Sequence, residues 1–205
     1  KARGLFAREH LSGKITVPFC PESRLSGVAH TDFMRCVWYA KDLNIPAAWK
    51  GKRILLHFGA VDYLATVWVN GKKVGTHAGG YTPFSFDITD FLNFEHDRVT
   101  LSAFDDVRSH NQPAGKQSDR YASYGCSYTR TTGIWQTVWI EEVPEVYITN
   151  LKLDPDVNSA SVHVDITFAG NYDGEFSVEA SYEGKKVGAA VGRASGRSAK
   201  VTVPL

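Results

Sequence analysis

The sequence predicts an all-β chain, and three observations predict it. Segments alternate apolar and polar residues with period 2 and are rich in β-branched and aromatic side chains. Asn-Gly and Glu-Gly turn signals stand between them. No stretch carries a helical period long enough for a core helix. Many short strands joined by Gly and Asn turns pack as a sandwich or jelly roll.

Each element follows in order. Cys36 to Leu43 reads as an early strand. Arg53 to Phe58 puts Ile54, Leu56 and Phe58 on one face. Tyr63 to Asn70 sets Tyr63, Ala65, Val67 and Val69 against Leu64, Thr66 and Trp68. Asn70-Gly71 follows at once and Val74 starts the return, a hairpin signal because both turn residues tolerate positive φ. Strands recur at Phe84–Ile88, Arg98–Asp105 and Ile134–Glu141. Between the first two, Thr89-Asp90-Phe91-Leu92 suggests one helical turn capped by Thr89 or Asp90. Trp38, Trp68, Trp135 and Trp139 sit in strand patterns, which predicts core packing for them.

Pro144 punctuates the chain. All five tryptophans precede it, and the composition changes beyond it. The domain boundaries are therefore placed at 1–144 and 145–205. In the second part strands are expected at Tyr147–Leu153, Ser161–Phe168, Glu175–Tyr182 and Lys200–Val203, with a turn at Glu183-Gly184-Lys185. This tail is similar to the first half of an immunoglobulin-like sandwich. One segment, Asp106 to Arg130, has no periodicity, and a loop of that length in a compact domain signals function.

Composition excludes several classes. Net charge is +1, from 23 Lys and Arg against 22 Asp and Glu, so nothing draws the chain to nucleic acid or an anionic membrane. No apolar run reaches membrane length. Cys20, Cys36 and Cys126 are odd in number and widely spaced, which argues against a disulfide framework or a thiolate metal site. The seven His residues show no metal-ligand spacing, and no cofactor motif occurs. No signal-like segment is visible, which favours a cytoplasmic location, while a start at Lys1 leaves a processed periplasmic or secreted form open. Adjacent acids such as Asp105-Asp106 and Glu141-Glu142 point to opposite faces of a strand and cannot flank one bond. Glu22 reads as a local hydrogen-bonding group. No catalytic residue is assigned in this chain.

Residues 129–144, together with several shorter motifs, resemble the sugar-binding jelly-roll domain of glycoside hydrolase family 2, the β-galactosidase and β-glucuronidase family. The motifs are Ile15-Thr16-Val17-Pro18-Phe19 with Pro21-Glu22-Ser23, Trp38-Tyr39, and Gly51-Lys52-Arg53 leading to Phe58-Gly59-Ala60-Val61. Ala65-Thr66-Val67-Trp68-Val69-Asn70-Gly71, the run from His77 to Phe84 and Phe86-Asp87-Ile88-Thr89 follow in the family's order. Gly115-Lys116-Gln117 and Thr132-Gly133-Ile134-Trp135 complete it. The resemblance implies a galactose-binding-domain-like jelly roll, without its usual first strand, then a partial immunoglobulin-like sandwich.

It also implies a non-catalytic region that supports a downstream barrel of the same polypeptide. The Glu nucleophile and Glu acid/base of a retaining, β-galactosidase-like enzyme would lie in that barrel. A pocket Asp common in the family is replaced by Ser127, so its role either passes elsewhere, with Asp119 the candidate, or is absent. The implied partner is a carbohydrate, and no cofactor is implied. In the long loop, His110, Asn111, Gln117, Asp119 and Arg130 could hydrogen-bond a sugar, while Tyr121, Tyr124 and Tyr128 could stack on it. The competing readings are an interdomain packing loop, in which Arg130 pins the backbone, an autonomous carbohydrate-binding module, and a purely structural sandwich.

Overall fold

A computed structural model of the chain describes residues 4–7 and 11–205. The chain divides into two units, Lys1–Glu142 and Val143–Leu205. Among the described residues every element is a strand or a single 3-10 turn.

The first unit is a sandwich of two antiparallel sheets. Its strands are β1 (Cys36–Leu43), β2 (Arg53–Phe58), β3 (Val61–Asp62), β4 (Leu64–Val69), β5 (Lys72–Ala78), β6 (Phe84–Asp87), β7 (Asp97–Phe104), β8 (Gly133–Ile134) and β9 (Val138–Val143). One sheet has the order β1-β7-β4-β5 and the other β6-β2-β9, with a two-stranded β3-β8 ladder beside them. The alternation read from the sequence decides which side chains meet. Ile54, Leu56 and Phe58 of β2 face Ala65, Val67 and Val69 of β4 across a core that also takes Leu101, Ala103, Ile88 and Ile134. Each is at most 4% exposed, so each contributes about 1.5–3 kcal/mol of burial for the larger side chains.

The turn at Asn70-Gly71 has φ of 50° and 75°, the paired left-handed geometry of the tight hairpin. Asn70 does more than turn. Its Nδ2 donates to Phe91 O and Asp97 Oδ1, and its Oδ1 accepts from Arg98 N. The turn at Thr89–Phe91 is capped by neither expected residue. Asp87 Oδ1 accepts from Thr89 N and Thr89 Oγ1, which frees that hydroxyl to accept from Ile54 N.

Three of the four tryptophans assigned to the core lie on outer faces. Tyr39, Val67 and Val69 point inward, so Trp38 and Trp68 point out and stack on each other at 5.3 Å. Trp139 alternates with Val138 and Ile140, is 43% exposed and lies flat on His57 at 4.7 Å. Period 2 fixed the pairing of faces, but size tempted the wrong face inward. The ring faces of Trp can be covered by neighbouring rings without entering the core.

On one side of the sandwich β1 and β9 are sheet edges with no further strand paired to them among the described residues. Between them runs a groove of about 580 Å³, floored by core residues Tyr39, Leu56, Phe58, Leu101 and Ile134.

The second unit is one antiparallel sheet, β10 (Ile148–Asp156), β11 (Ser161–Tyr182) and β12 (Lys185–Pro204) in that spatial order, folded over so that Gly188 and Pro204 of the same strand touch. Glu183 and Gly184 turn the hairpin with φ of 48° and 76°. The two strands expected within 161–182 are one long strand, whose register slips between Thr167 and Tyr172. Gly170 and Asn171 interrupt the alternation there, and the ladder bends back: Gly188, paired with Ala180, touches Pro204, paired with Ser161. Val164, Ile166, Phe168, Ala194, Ala199 and Val203 form its small core. Leu151 and Leu153 pair opposite Ile166 and Val164, so they share that face, yet they are 51% and 60% exposed.

Candidate functional site

The segment from Asp106 to Arg130 is a loop built on polar groups. It leaves β7 at Asp105 and returns to β8 at Gly133. Two amides fasten it to the sandwich. Gln112 Nε2 donates to Asp105 Oδ1 at 2.5 Å, while Gln112 Oε1 accepts from Asp106 N at 3.3 Å. Gln117 Nε2 donates to Asp62 Oδ2 at 3.0 Å, while Gln117 Oε1 accepts from Thr131 N at 2.8 Å. Each side chain satisfies a buried carboxylate and a backbone N–H at once.

Arg130 is the third fastening. It is 2% exposed and donates to three carbonyls, Ser118 O, Arg120 O and Thr31 O. The guanidinium lies 4.0 Å from the centre of the Phe33 ring, and Arg108 covers Phe33 at 3.6 Å. Ser118, fully buried, donates its hydroxyl to Ala122 O and Arg120 O. Backbone bonds Ser118 N to Tyr128 O and Tyr128 N to Lys116 O close the loop on itself. Its tip is a tight turn, Tyr124 to Ser127, bonded in both directions.

Beneath the loop sit three carboxyl groups. Glu22 is 6% exposed, Asp62 4% and Asp105 2%. Glu22 accepts from Thr132 N, 110 residues away, so its bond is long-range where a local one was expected. Thr132 Oγ1 donates to Asp105 Oδ2 at 3.3 Å. Burial, then the nearby Asp105, raises Asp62 to about 7 against the opposing hydrogen bond from Gln117. Burial also raises Asp105 to about 6, with Glu22 and Asp106 adding to it while Gln112 and Thr132 oppose. Burial pushes the Tyr39 phenol well up.

The eight residues singled out in the sequence divide by direction. Gln117 and Arg130 turn inward and hold the loop. Asp119 is half-buried and accepts from Tyr124 Oη at 2.9 Å. His110, Asn111, Tyr121, Tyr124 and Tyr128 face solvent, with Tyr121 69% and Tyr128 58% exposed. Tyr121 packs edge-on to Phe33 at 5.2 Å, and Arg120 lies over Tyr124 at 4.1 Å. The Tyr121 and Tyr124 rings are thus held by neighbours while part of each stays open.

The family model described as glycosyl hydrolases family 2, sugar binding domain, matches residues 27–144. The chain belongs to glycosyl hydrolase family 2. The whole loop and its carboxylate base, Glu22 apart, fall inside the matched sugar-binding domain. A β-galactosidase from Thermoanaerobacter pseudethanolicus is 34% identical over 146 residues, which are 68% of this chain and 18% of that protein. A β-glucuronidase from Felis catus is 28% identical over 150 residues, 65% of this chain and 23% of that protein. The chain therefore spans about a fifth of the length of these curated relatives. Among solved structures, Bifidobacterium dentium β-glucuronidase complexed with coumarin-3-O-glucuronide has a TM-score of 0.74 at 18% identity, covering 97% of this chain and 38% of that one. Ruminococcus gnavus β-glucuronidase has a TM-score of 0.70 at 19% identity, covering 96% and 35%. Both share the fold.

Sequence reasoning missed several members of this family 2 site. Asp62 was passed over and Asp105 was weighed only in the pair Asp105-Asp106, although an acid inside an apolar run such as Val61-Asp62-Tyr63 was a usable signal. Tyr81 was also missed. It is 70% exposed and edge-on to Trp135 at 5.7 Å, and a side-chain carbon added at Gly115 would lie 3.0 Å from its Oη, so it stands beside the loop. Trp135 is fixed in turn by its Nε1 donating to Gly80 O.

Proposed function

We propose that this region is a non-catalytic sugar-contacting part of a β-galactosidase-like retaining glycoside hydrolase. It supports the catalytic barrel of the same polypeptide and supplies one wall of the substrate pocket. The observation that carries the reading is the loop: open tyrosine rings at 121, 124 and 128 stand on a base fixed by Arg130, Gln112 and Gln117. A sugar offers an apolar face to such rings and hydroxyls to His110, Asn111 and Asp119. Pre-ordering matters because a loop already fixed gives up little entropy on binding. The bond-breaking Glu pair belongs to the barrel, so this chain orients substrate and moves no proton. The pocket carboxylate absent at Ser127 is replaced by Asp119, whose Oδ1 is oriented by Tyr124.

The test is made in the full-length enzyme, with Tyr128→Ala and Asn111→Ala assayed on nitrophenyl β-galactoside and β-glucuronide. A rise in KM of about fivefold or more is expected on the preferred glycoside. Unchanged kcat and KM for both variants on both glycosides would end the substrate-facing reading. Calorimetric titration of the 205-residue chain with methyl β-galactoside separates a pocket wall from an autonomous module. Little heat is expected for a wall, whereas millimolar binding would favour the module.

A further inference from the structure

We propose that Asp62 and Asp105 form a proton-operated latch that holds the Asp106–Arg130 loop down when protonated and releases it when ionised. The proposal concerns how the loop is held and does not depend on what the loop binds.

The geometry sets up the conflict. Glu22, Asp62 and Asp105 are all nearly inaccessible and share the space under one loop. Among the described residues none of the three forms an ion pair. Their partners are neutral donors: the Gln112 and Gln117 amides, Thr132 Oγ1 and Thr132 N. The charged groups nearest by are committed elsewhere. Arg130 spends its Nη atoms on carbonyls. Arg35 pairs with Asp106 at 2.7 Å. Arg108 lies on Phe33. The Tyr39 hydroxyl accepts from Ile134 N. Asp62 and Asp105, buried with no cation and with other carboxyl groups beside them, therefore favour the neutral form.

A second observation lies beside Asp105. A cavity of about 50 Å³ is lined by Phe33, Asp105, Asp106, Arg108, Arg130 and Thr132. The buried Arg130 Nε–H has no acceptor among the described residues. That is room for water next to an unmatched donor, and it is where hydration would grow once Asp105 loses its proton.

The direction follows from linkage. Both groups sit above their ordinary value of 3.8, at about 7 and about 6. Their contribution to the closed loop is complete below about pH 4. It is lost as pH rises through about 6 and then about 7. Each bond from Gln112 or Gln117 then ends on a carboxylate that gains more from water and from distance to its neighbours.

The experiment is amide hydrogen exchange by NMR on the 205-residue chain from about pH 5 to about pH 8, corrected for intrinsic rates, with carboxyl carbon-13 titration of the same sample. Protection of the Thr131 and Ser118 amides should fall about tenfold or more across that range, while Val67 in β4 stays constant. Asp62→Asn and Asp105→Asn should each shrink the fall and keep the loop protected at the alkaline end. Carboxyl inflections above about pH 5 for both residues support the latch. Inflections near about pH 4, or loop protection that ignores pH, overturn it. The titration is read on the unaltered chain, so the result stands even where a variant fails to fold.

Discussion

Arg130 shows how one side chain can substitute for secondary structure. Its two terminal nitrogens serve three carbonyls from two separated segments, and its plane lies on Phe33. A lysine has a point charge and no plane, so it cannot repeat this. Arg130→Met strands three inward carbonyls and should cost about 3 kcal/mol or more in urea unfolding; Arg130→Lys should recover less than half of that. Gly133 is a second fixed point. Its φ is +79°, and an added side-chain carbon would lie 2.2 Å from Tyr39 Oη, the acceptor of Ile134 N. Gly133→Ala should therefore cost at least about 2 kcal/mol, measured the same way.

Among elements, the β4–β5 hairpin separates turn geometry from side-chain bonding. Gly71→Ala meets open space at φ +75° and should cost about 1 kcal/mol. Asn70→Gly keeps the turn but drops three hydrogen bonds that reach Phe91, Asp97 and Arg98. It should cost more than Gly71→Ala in thermal unfolding, by about 1 kcal/mol or more. The reverse order would mean that the turn, and not the bonding, fixes this corner. The sequence displayed this hairpin openly, because Asn-Gly and alternation are local signals. It also displayed β1, β2 and β7. The base of the loop was hidden for the opposite reason. Glu22, Asp62, Asp105 and Thr132 come from four places in the chain, and only the pairing of β3 with β8 and the course of β7 gather them. The tyrosines at 121, 124 and 128 were picked out as stacking candidates because their segment lacks periodicity. The inward turn of Gln117 was not, since an amide in a loop carries no sign of its direction.

For the molecule as a whole, the two units differ in how much they bury. The first has a two-sheet interior. The second folds one sheet over a core of six buried residues, with Leu151 and Leu153 left largely open beside it. A core that small makes this unit the more marginal of the two. All five tryptophans precede residue 143, so their fluorescence reports the first unit alone, whereas far-ultraviolet circular dichroism reports both. In urea the dichroism curve should begin to fall at a lower concentration than the fluorescence curve. Superimposable curves would mean that the units unfold as one.

The cleft between β1 and β9 has a practical consequence. Val17, Val99, Val138 and Ile140 line it and keep part of their apolar surface open while the sandwich around them is intact. An amphiphilic dye such as anilinonaphthalene sulfonate would brighten on fully native material. Its emission would then report an access port, and chemists screening this chain for partial denaturation would need to read near-ultraviolet dichroism instead.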